Sequence, residues 1–284
     1  MEIFRTISEF RDWRRGAGTG SIGFVPTMGA LHDGHLSIIK KSKKSHDLTI
    51  ASIFVNPAQF GPREDFHAYP RCLDRDIACL EQEKTDVLFA PESAEMYVEN
   101  HGTWISNPDL SCILCGRTRP DHFKGVLTVV NKLLNLTMPE AAYFGKKDFQ
   151  QLFLIKKMVN DLNMAVRIEG APIVRNTRGL ALSSRNKYLS DIQQDHASGF
   201  YAALCAMRGL YTSNHSVNSD DIISAGKKEI QNIAGMTVDY LSICDKNTLI
   251  PAGTVNRDSI IIGAVFFHGV RLIDNLEVAT DDPC

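Results

Sequence analysis

Three features of the chain predict an α/β protein: a doubly wound parallel sheet followed by a smaller α+β domain. Short apolar runs alternate with amphipathic stretches of helical period through the first two thirds of the sequence. Several of these runs are apolar without a break, as strands covered on both faces are. After about residue 185 the order changes, and helices are followed by a run of strands. No Pro/Gly/Ser-rich linker marks the join, and the division is placed between 1–175 and 176–284.

Each element has its own signal. Residues 21–26, SIGFVP, read as a buried strand. HLSIIKKSKKS sets apolar positions on one side and lysines on the other, which predicts a helix over 34–45. LTIASIFV, 48–55, is β-branched and continuously apolar, and completes a βαβ unit. RCLDRDIACLEQEK has Leu73, Ile77 and Leu80 at helical spacing and leads into the strand DVLFA. VLTVVNKLLNL is helical in pattern before the strand AAYFG, and DFQQLFLIKKMVNDL before AVRIEGAPIV. In the second part, 191–211 and 219–235 read as two successive helices; VDYLSICD, SIIIGAVFF and VRLIDNLEV read as strands.

Composition excludes several classes. The 284 residues are 44% hydrophobic and 23% charged with a net charge of −2, a globular profile that draws the molecule toward neither nucleic acid nor anionic membrane. No apolar run approaches the roughly 18–20 residues needed to span a bilayer. The amphipathic start, MEIFRTISEFRDWRR, lacks a signal-peptide apolar segment, so the expected location is cytoplasmic. Seven cysteines, an odd number scattered along the chain, argue against a disulfide framework. Cys112 and Cys115 form a C-x-x-C, but SCILCGRTRP supplies no second zinc half-site and no thioredoxin-like context, so two ordinary thiols are expected.

Chemistry concentrates where the predicted strands end, the edge at which open parallel sheets bind ligands. PTMGALHDGH joins the first strand to its helix. Gly29 permits a tight turn and Gly34 a close backbone approach. The helix start beyond them offers unpaired N–H groups and the positive dipole end, which favour a phosphate. His32 and His35, three apart, then read as donors to charge developing on phosphate oxygens. The alternative is a turn residue at His32 and a helix cap at His35. Zinc is disfavoured, since helical ligands usually stand four apart and no acidic third ligand is evident. The glycine-rich stretch 16–23, GAGTGSIG, precedes its strand instead of following it; it reads as a loop, not a dinucleotide fingerprint.

Later strand exits add further polar groups. FVNPAQFGP carries the amides of Asn56 and Gln59, suited to hydroxyls and a carboxylate. AAYFG runs into KKDFQQ, where Lys147 can reach a phosphate, Asp148 can cap the next helix and Gln151 lies one turn on. GLALSSRN groups Ser183, Ser184 and Arg185, an anion-binding combination. RPDHF adds Arg119 and His122. Each cluster alone is equally a capped helix start or a polar loop; four of them at the exits of one sheet point to a shared site.

PTMGALHDGH, FVNPAQFGPREDFHAYPR, RPDHFKGVLTVVNKL, FGKKDFQQL and GLALSSRN occur in this order. Together they resemble the pantothenate synthetase (pantoate–β-alanine ligase) family, strongly over residues 20–190 and more loosely beyond. The H-x-G-H element is similar to that of the wider nucleotidyltransferase superfamily, class I aminoacyl-tRNA synthetases included. The resemblance implies a Rossmann-like fold, a homodimer and a smaller C-terminal domain acting as a lid. It implies ATP-dependent condensation of pantoate with β-alanine through a pantoyl adenylate, releasing pyrophosphate and then AMP, with Mg²⁺ accompanying the ATP. By the same resemblance, Met28, Gly29, Ala30, Leu31, His32, Asp33, Gly34 and His35 line the ATP site. Gly145, Lys146, Lys147, Asp148, Val174, Leu182, Ser183, Ser184 and Arg185 join them. His35, His32, Lys147 and Arg185 take catalytic roles, with His35 an acid-type donor. Gln59 and Gln151 hold pantoate.

Several positions depart from the family pattern. Lys146 stands where glutamate is usual, Asn176 and Arg178 where acidic residues are, and Asp121 where glycine is. The magnesium ligands are not assigned; Asp76 and Asp148 are candidates by charge alone. Two alternatives stay open: another H-x-G-H adenylyltransferase, and a nucleotide-binding protein without catalysis. Glutamines suit a phosphate acceptor less well than arginines, which disfavours the first. The presence of His32, His35 and Lys147 disfavours the second.

Overall fold

The computed structural model describes residues 1–18, 20–62, 64–215 and 217–279. The chain forms two compact units, Met1–Ile173 and Val174–Cys284.

The first unit is built on strands β1 (Glu2–Phe4), β2 (Ile22–Thr27), β3 (Leu48–Ile53), β4 (Val87–Phe89), β5 (Ala141–Gly145) and β6 (Arg167–Ala171). Its helices are α1 (Ile7–Gly16), α2 (Asp33–Ser45), α3 (Leu73–Gln82), three single turns α4 (Ser93–Met96), α5 (Pro108–Ser111) and α6 (Cys115–Thr118), then α7 (His122–Thr137) and α8 (Phe149–Asp161). All six strands pair in parallel, in the order β1-β4-β3-β2-β5-β6. The chain moves outward through β2, β3 and β4 on one side, then returns to lay β5 and β6 on the other. The order therefore reverses between β2 and β5, which opens a crevice beyond their carboxyl ends.

The expected elements form, with shifts at their ends. The helix expected over 126–136 starts earlier, at His122, and the strand expected over 165–174 is confined to Arg167–Ala171. β1 is an addition. Three residues cannot express a period, and its pairing with β4 is a tertiary event. The glycine-rich stretch runs from the last residue of α1, Gly16, to the first residues of β2, Ile22 and Gly23; its Thr19 is outside the described residues.

Both sheet faces are covered, which explains the unbroken apolar strands. Val25, Ala51, Leu88 and Ala141 pack with Ile39 of α2 and Leu80 of α3. α7 is buried along most of its length, through Val126, Leu127, Val130, Leu133 and Leu134. Each such side chain contributes about 1.5–3 kcal/mol on leaving water, enough to fix where the helix ends lie.

The second unit holds α9 (Asp191–Ala197), α10 (Gly199–Ser213), α11 (Ser219–Gln231) and an antiparallel sheet of β7 (Met236–Asp245), β8 (Ser259–Phe267) and β9 (Val270–Glu277). Phe200, Leu204, Met207, Ile222, Ile230, Ile243, Ile261 and Val265 form its core. The single helix expected over 191–211 is two. Ser198 separates them, its hydroxyl donating to the Asp195 carbonyl at 2.5 Å. Such local bonding competes with the helical ladder, and apolar periodicity does not register it.

Candidate active site

Three adjacent loops leave the carboxyl edge of the first unit beside the reversal point. The loop after β2 turns at Gly29 and Ala30, whose φ values are +78° and +50°. Glycine is required at the first, because a Cβ there would lie 3.0 Å from both Asp76 Oδ2 and Ile53 Cγ2. Asp76, 1% exposed on α3, holds this turn: Ala30 N–H donates to Oδ2 at 2.7 Å and Leu31 N–H to Oδ1 at 2.8 Å. Charged acceptors of this kind give the stronger backbone hydrogen bonds. Asp76 is thus the anchor of the loop, each of its carboxylate oxygens accepting one backbone N–H. Ala30 and Leu31 are buried in the core and their N–H groups are held by Asp76.

α2 begins in a reciprocal cap. His32 Nδ1 accepts from Gly34 N–H at 3.2 Å, and His35 Nδ1 accepts from His32 N–H at 3.4 Å. The two rings lie 4.1 Å apart between centroids. The capping alternative is therefore realised, and it does not exclude the donor role. A neutral imidazole that accepts at Nδ1 carries its proton on Nε2, so each ring keeps an N–H donor at its far nitrogen. Burial pushes the His35 pKa well below the ordinary imidazole value; repulsion from His32, were that ring also to charge, and from Lys147 lowers it further. The lowered pKa favours the neutral ring, which still donates through Nε2. Asp33, the first residue of α2, is exposed.

The same electrostatic coupling brings Lys147 within range of His35. It lies in a 3-10 turn, Lys146–Asp148, directly after Gly145 at the end of β5. Its side chain is 19% exposed, and its ammonium stands 3.7 Å from Asp148 Oδ2. Lys146 runs along β6: a Cβ on Gly170 would sit 3.3 Å from its Cγ.

The loop after β3 presents an amide pair in a 3-10 turn at Pro57–Gln59. Asn56 Nδ2 donates to Gln59 Oε1 at 3.0 Å and to the Gly125 carbonyl at 3.1 Å; Gln59 Nε2 meets Met28 Sδ at 3.0 Å. Gln59 and Met28, expected in different subsites, are thus neighbours. α7 touches this turn at Gly125, where a Cβ would be 2.2 Å from the Ala58 carbonyl oxygen. His122, at the head of α7, contacts the Gln59 carbonyl through Nδ1 at 2.8 Å. Arg119 reaches the same oxygen at 3.3 Å and holds Glu64 at 2.8 and 2.6 Å. RPDHF therefore supports Gln59.

On α8 two successive glutamines divide. Gln150 is buried and binds Cys115 N–H and the carbonyls of Leu110 and Ile113. Gln151, the expected pantoate contact, is half-buried on the first turn. Cys112 is exposed and Cys115 buried, and neither is disulfide-bonded. Among the described residues, no group of three or more His, Cys, Asp or Glu is arranged to hold a metal ion.

The remaining expected residues lie in the second unit. Val174 accepts at its carbonyl from Leu182 N–H at 2.9 Å. Ser183 caps the 3-10 turn Ser184–Tyr188 by accepting from Arg185 N–H at 3.3 Å; Ser184 is buried and Arg185 half-buried. The departures from the family pattern have local roles. Asn176 Oδ1 accepts from Arg178 and Leu180 N–H, both at 3.0 Å, and closes the turn that Gly179 makes at φ +95°. Arg178 pairs with Asp195 at 2.6 Å. In the first unit, Asp121 has φ +66°, a left-handed conformation that favours glycine.

A family model described as pantoate-beta-alanine ligase matches residues 2–277. The chain belongs to the pantoate–β-alanine ligase family. Among curated pantothenate synthetases, that of Thermosipho africanus is 46% identical over 278 residues, covering 97% of this chain and 99% of its own. That of a Sulfurihydrogenibium species is 46% identical over 258 residues, covering 90% and 91%. The crystal structure of pantothenate synthetase from Thermus thermophilus matches with a TM-score of 0.92 at 42% identity, over 99% of this chain and 100% of that one. The ligase from Francisella tularensis, solved with beta-gamma ATP and beta-alanine, matches with a TM-score of 0.81 at 36% identity, over 99% and 98%. The reaction of this pantoate–β-alanine ligase is the family's, the joining of pantoate to β-alanine.

Proposed function

We propose that the ligase works through a pantoyl adenylate formed at the crevice between β2 and β5. A pantoate carboxylate oxygen bonds to the α-phosphorus of ATP, and the bond from that phosphorus to pyrophosphate breaks. The amine of β-alanine then bonds to the acyl carbon, the bond to AMP breaks, and a proton leaves the nitrogen. A carboxylate is a poor acyl donor until it carries such a leaving group, so positioning and phosphate neutralisation are the enzyme's main tasks.

The observation that carries this reading is the pairing of His32 and His35 through Nδ1, beside Lys147. It supports two Nε2–H donors and one ammonium aimed at phosphate oxygens. Neutral donors strengthen as negative charge builds on those oxygens and do not have to lose a proton to do so. Met28–His35 and Gly145–Asp148 are assigned to ATP, with Val174, Leu182, Ser183, Ser184 and Arg185 contributing backbone, hydroxyl and guanidinium contacts to the nucleotide. Gln59 and Gln151 are assigned to the hydroxyl and carboxylate of pantoate. Magnesium enters as the ATP complex, held mainly by phosphate oxygens, since it commonly binds through few protein ligands. A homodimer and a cytoplasmic location belong to the same proposal. No described helix is long and apolar enough to cross a membrane.

The test is pyrophosphate release from ATP plus pantoate, with and without β-alanine. Release without β-alanine, and ATP–pyrophosphate exchange dependent on pantoate, are expected. Exchange that ignores pantoate, or release only when all three substrates are present, counts against the adenylate.

A further inference from the structure

The main-chain oxygen of Gln59 is held unusually firmly for a loop carbonyl. His122 Nδ1 contacts it at 2.8 Å and Arg119 Nη2 donates to it at 3.3 Å. Arg119 Nη1 also stands 3.1 Å from His122 Nε2. With Nδ1 donating to the carbonyl, Nε2 is the acceptor, so Arg119 also fixes the tautomer and tilt of His122. Arg119 is itself clamped by Glu64, Nε to Oε1 at 2.8 Å and Nη2 to Oε2 at 2.6 Å. Their side chains are only 15% and 24% exposed, so water screens this bidentate pair weakly.

Glu64 lies in the segment that follows Gln59. Phe60 packs against Phe66 and Tyr69 at 5.4 and 5.8 Å, and Arg71 binds the carbonyls of Phe66, His67 and Tyr69. The segment therefore folds back on itself, and its carboxylate returns to the guanidinium that holds Gln59. A plain surface ion pair would need neither the second hydrogen bond nor the shared carbonyl.

We propose that Glu64 and Arg119 are positioning residues for pantoate: their ion pair fixes the backbone of Gln59 and so aims its carboxamide at the substrate. The inference rests on the reading of Gln59 as a pantoate ligand. Neither residue touches a reacting atom. Their action passes through the carbonyl of Gln59 and the ring of His122.

The test compares Glu64→Gln in two backgrounds, the native chain and Gln59→Ala, by the pantoate and ATP KM values of ATP–pyrophosphate exchange. Losing one charge-assisted contact sets the expected scale at about 10-fold in pantoate KM in the native background. In Gln59→Ala, with no carboxamide left to aim, the same substitution is expected to change pantoate KM less than about twofold. ATP KM is expected to stay within about twofold throughout. An equal rise in both backgrounds, or no rise in the native one, overturns the positioning role while leaving Gln59 as a ligand. If Gln59→Ala itself leaves pantoate KM unaltered, the ligand reading fails and the inference with it. Arg119→Lys keeps the charge but loses the bidentate geometry, and supplies the same comparison if Glu64→Gln does not give a cooperative melt.

Discussion

His32 and His35 cap each other's stretch of backbone, Nδ1 to N–H in both cases, with their rings 4.1 Å apart. Helix capping and phosphate donation are usually treated as alternatives for such a pair. Here capping supports donation, because occupying both Nδ1 atoms directs both protons to Nε2. For His35→Ala the expected result is a loss of about 10²–10³-fold in the rate of adenylate formation, the scale of one transition-state donor. Rapid-quench measurement at saturating substrates isolates that step. ATP binding falling by as much as the rate does would remove the transition-state role.

The depressed pKa of His35 has a pH signature. The folded state resists protonation, while the unfolded imidazole titrates near the ordinary value of about 6.5. Above that value both states are neutral at this residue and it contributes nothing to the pH dependence. As pH falls below it, the unfolded state takes up the proton first and stability declines. The decline is complete once pH passes below the folded pKa. Urea midpoints measured from pH 8 to pH 5 should fall less steeply on the acid side for His35→Asn than for the native chain. Parallel curves would show that His35 does not titrate with a lowered pKa.

Asp76→Asn is expected to cost about 2–3 kcal/mol, since two backbone N–H groups lose a charged acceptor in a buried place. ATP KM should rise as the Gly29–Ala30 turn loosens. The concentration of free magnesium giving half-maximal rate, at saturating ATP, should stay where it was. A large shift in that magnesium requirement would make Asp76 a metal ligand as well.

Gly125→Ala tests the contact between α7 and the turn that carries Gln59. The new methyl would stand 2.2 Å from the Ala58 oxygen and 2.6 Å from Gln59 N, so one backbone must move. The expected outcome is a stability loss of about 1–3 kcal/mol, as for overpacking elsewhere, together with a raised pantoate KM. ATP KM should change little. Denaturant melts with two-substrate kinetics check both halves, and an unaltered pantoate KM would show that the turn does not need α7.

Asp121→Gly should stabilise the protein. The left-handed backbone at φ +66° costs a residue with a Cβ about 1–2 kcal/mol, and glycine removes that strain at some cost in unfolded-state entropy. A net gain of about 0.5–1 kcal/mol, read from the urea midpoint and with kcat unchanged, is the expected result. A lower midpoint would mean that the Asp121 side chain has a stabilising partner of its own.

What could be read from the sequence depended on range. Strand–helix alternation, unbroken apolar strands and the change of style after the first unit all reside within windows of about a dozen residues. They sufficed for the sheet class and for locating the chemistry at strand exits. The motifs PTMGALHDGH and KKDFQQ sit beside the reversal between β2 and β5 because a parallel sheet leaves its loops there. β1 escaped notice because three residues have no period, and the break at Ser198 because a side chain competed with the ladder.

The sequence by itself determined which residue types the site has and which strand each one follows, since covalent order and side-chain periodicity are local properties. Only the tertiary structure decided what those residues are bonded to. Asp76 became a loop anchor because α3 delivers it to two N–H groups far away in the chain. Gln150 turned inward and left Gln151 half-buried, and His122, Arg119 and Glu64 met around one carbonyl. Hydrogen bonds and ion pairs act over about 3 Å in space whatever the separation along the chain, so no local pattern records them.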